Sequence, residues 1–97
     1  MYAVTISMRA QNEAGAAILR KASLDTVEPS RAEEGCVFFD VLFDESDPLL
    51  VRFYEAYKTK SDFEAHLKAK HVQDWVKVAM PVVDKGTIRM PESVSST

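Results

Sequence analysis

"CVFFDVLFDESDPLLVRFYEAYK", residues 36–58, decides the fold, because it reads as two strands and the turn between them. With a period of two, Val37, Phe39, Val41 and Phe43 share one face of the first strand, and Cys36, Phe38, Asp40 and Leu42 share the other. The acidic stretch "DESDP" (44–48) is a solvated turn. In the run after it, Val51, Phe53, Glu55 and Tyr57 lie on one face and Arg52, Tyr54, Ala56 and Lys58 on the other. The pair is expected to be an antiparallel hairpin with a longish loop. Both faces of its first strand are largely apolar. A sheet with helices on one side should have a polar back, so an apolar back needs a cover. In a chain of 97 residues the simplest cover is a second copy, which predicts a homodimer through the sheet face.

Upstream, residues 2–10 alternate as a strand, with Tyr2, Val4, Ile6 and Met8 on one face. Asn12 is a helix cap, and "EAGAAILRKASLDTV" (13–27) is the helix, with Ile18, Leu19 and Ala22 as its apolar stripe. Pro29 ends that helix or tightens its last turn. "SRAEEG" (30–35) is a polar connection. Downstream, Ser61 and Glu64 have capping-box spacing, and Phe63, His66 and Leu67 share one helix face. A second helical segment spans residues 71–83 and puts His71 and Trp75 on a stripe; Pro81 marks its end. "KGTIRM" (85–90) is a short fourth strand. The order β-α-β-β-α-β predicts an α+β, ferredoxin-like domain over residues 1–90, with a four-stranded antiparallel sheet. The polar tail, 91–97, is expected to be frayed and flexible.

Composition narrows the function. A net charge of -3 argues against a nucleic-acid partner, which calls for a basic stripe, and gives no attraction to anionic lipid. Cys36 is the single cysteine, so neither an intrachain disulfide nor a multi-thiolate zinc site can form. No apolar run has the length of a membrane span, and the first residues lack signal-peptide order, so a cytoplasmic location is the default expectation. Isolated glycines offer no cradle for a nucleotide.

The candidate chemistry lies between residues 53 and 71, which hold both histidines. His66 points at the sheet and can act as a general base or acid; it can equally be a core histidine satisfied by a carboxylate. Glu55 is its expected partner, because a carboxylate on that inward face is costly to bury alone. Tyr57 is a candidate phenol on the same face, or simply a core aromatic. His71 stands at a helix start, at the mouth of a pocket or merely in a first turn. Trp75, Phe39 and Phe63 are expected as pocket walls or plain core. His66 and His71 are five apart across a helix break, unlike the i, i+4 spacing of two ligands on one helix face, so no metal is expected.

The string "RAEEGCVFFDVLFDESDP" (31–48), then "FYEAY" (53–57), "DFEAHLKAKH" (62–71) and Trp75 resembles the antibiotic biosynthesis monooxygenase domain family over roughly residues 2–90. Glu34 stands where many relatives have proline. The resemblance implies a dimeric α+β barrel and cofactor-free chemistry on quinone-like or enolisable small molecules. His66 would then remove a proton, Glu55 would orient it, and Tyr57 and His71 would hold an oxyanion. Parts of the string are also similar to isomerases that degrade autoinducer-2, a phosphorylated hydroxypentanedione. A third class, a non-catalytic ligand-binding dimer, fits the same pocket. A haem-degrading branch is disfavoured, because Val76 falls at its iron-ligand position and His66 at its tryptophan.

Overall fold

The structure, a computed structural model, describes residues 1–91 and the backbone of Val94–Ser95. The chain runs β1 (Tyr2–Ala10), α1 (Glu13–Asp25), α2 (Val27–Arg31), β2 (Cys36–Phe43), β3 (Leu50–Tyr57), α3 (Lys60–Lys68), α4 (Lys70–Ala79), a 3-10 turn (Met80–Val82), β4 (Val83–Arg89) and β5 (Val94–Ser95). The main sheet is antiparallel in the order β2-β3-β1-β4, the ferredoxin-like arrangement. Of the tail read as frayed, Val94 and Ser95 pair with Ala3 and Tyr2 of β1. Residues 92, 93, 96 and 97 lie outside the described residues.

The core sits between one face of the sheet and the helices. Met8 and Ala10 of β1, Ala16, Leu19 and Ala22 of α1, Phe39 of β2, Val51 and Phe53 of β3, Ala79 of α4 and Val83 of β4 are all buried in it. Val4, Tyr57 and Phe63 form a smaller cluster at the far end. On the opposite face Phe38 packs edge-on against Tyr54, with ring centroids 4.8 Å apart, and Leu42 and Tyr54 stay exposed.

Four local readings are corrected. The alternation in β2 is interrupted by an irregularity between Cys36 and Phe38, so Val37 is exposed while Cys36 packs against the core. The capping box of α3 is Thr59 and Asp62, not Ser61 and Glu64; Thr59 has the extended backbone a cap requires. The first helix breaks at Thr26, and Pro29 lies within the short α2. A proline ring clashes with the carbonyl four residues back, here Asp25, which is the last residue of α1. Leu67 is exposed although it shares a helix face with buried Phe63 and His66.

Three features place the segment between α2 and β2 against α3. Arg31 donates from Nε to the carbonyl of Phe39 and pairs with Asp40. The amide of Cys36 donates to the carbonyl of Glu33 at 3.1 Å. A Cβ at Gly35 would collide with the Asp62 side chain, so glycine allows the segment to lie on the first turn of α3.

Candidate active site

His66 is the centre of the arrangement. Its ring is buried and surrounded by aromatic rings: Tyr57 at 5.2 Å, Phe39 at 5.5 Å and Phe63 at 6.3 Å between centroids. Nδ1 of His66 lies 2.8 Å from Oε2 of Glu33, and Nε2 of His71 lies 2.7 Å from the same oxygen. A carboxylate only accepts, so each imidazole donates its N–H to Glu33. Ala69 between the two helices is extended, with ψ 147°, and this turn brings the two imidazoles within 5.8 Å of each other.

On its other side, Nε2 of His66 faces Oε1 of Glu55 at 3.6 Å, beyond direct hydrogen-bond length. Glu55 instead accepts a 2.7 Å hydrogen bond from the hydroxyl of Tyr57. Glu55 therefore sits next to His66, as its strand face requires, while the hydrogen bond that orients the ring comes from Glu33. Glu33 was missed in the sequence because nothing in "RAEEG" distinguishes it from Glu34 beside it. Its partners are 33 and 38 residues away.

Burial dominates the electrostatics. It pushes the Glu55 carboxyl up to about 7, against the opposing pull of the Tyr57 hydrogen bond. It lowers the His66 pKa, which Glu33 partly restores. It raises the Tyr57 phenol, as does the charge of Glu55 beside it. Near neutral pH the result is an uncharged imidazole with an N–H toward Glu33 and a bare Nε2 toward Glu55.

That side opens on a cavity of about 140 Å³ lined by Phe39, Phe53, Glu55, His66, Val72 and Trp75 among others. Its walls are almost wholly apolar, and His66 and Glu55 are its titratable groups. Trp75 is fixed by a 3.0 Å hydrogen bond from Nε1 to Oγ of Ser23 and by an edge-on contact with Phe53. Of the residues expected in the pocket, Phe39, Trp75, His66 and Glu55 line the cavity. Phe63 and Tyr57 pack behind the His66 ring instead. His71 lines a wider groove between α1 and α4, which shares Thr26 and Trp75 with the cavity. Tyr57 is fully buried and its hydroxyl is committed to Glu55, so it positions that carboxyl.

No curated protein matches the chain. Many solved structures do. An antibiotic biosynthesis monooxygenase-type protein of Nitrosomonas europaea superposes with a TM-score of 0.88 at 25% identity, covering 99% of this chain and 98% of that one. A crystallised antibiotic biosynthesis monooxygenase gives 0.88 at 20% identity, covering 100% and 99%. A protein of the same description from Deinococcus radiodurans gives 0.85 at 20% identity, covering 100% and 93%. The profile of the antibiotic biosynthesis monooxygenase family matches residues 1–78, which carry β1 through almost all of α4 and so every residue of the site. This chain belongs to the antibiotic biosynthesis monooxygenase family.

Proposed function

We propose that the protein is a monooxygenase-type enzyme acting on a small enolisable or quinol-type molecule, with His66 as general base. One observation carries the reading: a buried imidazole, anchored through Nδ1, turns its other nitrogen toward an apolar cavity that also holds the carboxyl of Glu55. An apolar wall strengthens proton transfer by excluding water. The cavity volume, about 140 Å³, is close to that of an engineered cavity that takes one benzene ring, so a single-ring substrate fits best.

The chemistry balances with dioxygen as co-reactant. His66 takes the proton of a hydroquinone hydroxyl, and the electron-rich ring carbon beside it forms a bond to oxygen. The resulting hydroperoxide breaks its O–O bond. One oxygen stays on the ring as the carbonyl or hydroxyl of a hydroxyquinone, and the other leaves as water; the substrate supplies all the electrons. Among the described residues, the cavity lining includes no lysine or arginine, which disfavours a phosphorylated substrate and hence the isomerase alternative.

The sheet face opposite the helices, with Phe38, Leu42 and Tyr54, is proposed as the surface through which two copies meet. Functionally, the test is protein-dependent oxygen uptake with single-ring hydroquinones and catechols, using heavy-oxygen gas to trace one atom into product. Turnover in the wild type and its loss in a folded His66→Gln variant are the expected results. Uptake no faster than autoxidation across the panel, or equal rates in the variant, overturns the reading.

A further inference from the structure

We propose that Glu33, His66 and His71 form a site for one divalent transition-metal ion, of the zinc or cobalt class. The donor atoms, Oε2 of Glu33, Nδ1 of His66 and Nε2 of His71, come from three different segments and all lie within 4.8 Å of one another. The sequence spacing of the two histidines counts against such a site only if they share one continuous helix. They do not: the extended backbone at Ala69 separates α3 from α4 and turns both rings onto one carboxylate.

The donor set suits the ion. Two imidazoles and one carboxylate are the ligands of a zinc site with an open fourth position, and imidazole-rich sites favour zinc, cobalt and nickel over magnesium or calcium. An ion bound at about 2.0–2.2 Å to each donor places tetrahedral donors about 3.3–3.6 Å apart. The present separations of 2.8 and 2.7 Å are hydrogen-bond lengths, so Glu33 must withdraw by roughly 0.5–0.9 Å. Its side chain is 20% exposed and that of His71 is 21% exposed, which gives room for that movement and a route from solvent. Among the described residues, the Glu33 carboxylate pairs with no lysine or arginine, so no fixed cation has to be displaced. On each ring the ion takes the place of the hydrogen on the ligating nitrogen, and the other ring nitrogen carries the hydrogen instead, with no net loss of a proton.

Behind the site, Glu55 faces the far nitrogen of His66 and is itself held by the Tyr57 hydroxyl. A carboxylate on the non-ligating nitrogen is the usual support of a metal-bound histidine. Coordination through Nδ1 requires the ring hydrogen on Nε2, toward Glu55. The same ring cannot then offer a bare Nε2 to the cavity. Metal-bound and base-competent forms of His66 are mutually exclusive, so the ion acts as an inhibitor of the chemistry proposed above.

The test uses tag-free protein stripped with EDTA and exchanged into metal-free buffer near pH 7.5. Cobalt chloride is added while visible absorption is recorded, and zinc chloride is titrated by calorimetry. One equivalent per chain and the d–d bands of low-coordinate cobalt are expected. Glu33→Gln and His71→Ala should each weaken zinc binding at least about tenfold. Should either variant fail to fold, NMR of the wild type decides: one equivalent of zinc must move the ring signals of both histidines together. Millimolar or weaker binding without d–d bands, unchanged affinity in folded variants, or unmoved ring signals each overturn the site. None of these readouts depends on turnover, so they stand apart from the oxygenase reading.

Discussion

Nδ1 of His66 and Oε2 of Glu33 are 2.8 Å apart although 33 residues separate them in the chain. Because His71 uses the same oxygen, one carboxylate fixes two imidazoles. Removing it by Glu33→Ala should destabilise the fold by about 1–3 kcal/mol, the cost of leaving a largely buried donor unpaired. The exposed neighbour supplies the control: Glu34→Ala should change stability by less than about 0.5 kcal/mol. Urea unfolding of both variants checks the pair, and equal effects would remove Glu33 from its anchoring role.

Glu55 sets a pH dependence. Its folded-state pKa, about 7, lies above the ordinary value of 4.5. A raised acid pKa means that the folded state holds its proton more tightly than the unfolded state. Its contribution is therefore fully present below about pH 4.5 and is lost as pH rises through about 7. Glu55→Gln keeps an acceptor for Tyr57 and has no proton to lose. In metal-free protein the variant should be near wild-type stability at pH 5 and more stable by about 2–3 kcal/mol at pH 8.5. Thermal unfolding across that range measures it, and a difference that does not change with pH contradicts the assignment.

The cavity can be closed without touching the imidazole. Val76 lines it and is partly exposed, so Val76→Phe can fill the opening without overpacking the core. The fold should survive, by circular dichroism, and oxygen uptake should fall at least about tenfold. A filled cavity with undiminished uptake would move the reaction elsewhere.

Assembly has its own check. Light scattering at micromolar concentration should report a homodimer, and Tyr54→Asp, which places a charge on the apolar sheet face, should yield monomer. A monodisperse wild-type monomer removes the proposed interface.

How much of this was legible in the sequence depended on the range of each interaction. Strand alternation and helix period are local, and they placed Val51, Phe53, Glu55 and Tyr57 on the inner face and His66 opposite them. All five are buried there. The β2 irregularity at Val37 leaves no local mark, so the face shared by Cys36 and Phe39 could not be read. The capping box read at Ser61 and Glu64 stands two residues too late, because the extended backbone that a cap requires falls at Thr59. Glu33 was out of reach for a stronger reason. It lies just beyond a five-residue helix, in a segment without periodicity, and its role arises only when α3 and α4 close over it.

The proposed base is His66 with its hydrogen on Nδ1 and a bare Nε2 toward the cavity. Long-range proton–nitrogen NMR of EDTA-treated protein near pH 8 reads this directly, since protonated and bare ring nitrogens differ widely in shift. The Nδ1–H tautomer is expected for His66, lost or mixed in Glu33→Ala. A His66 ring in the Nε2–H tautomer would contradict it, because that nitrogen could then take no proton from a substrate.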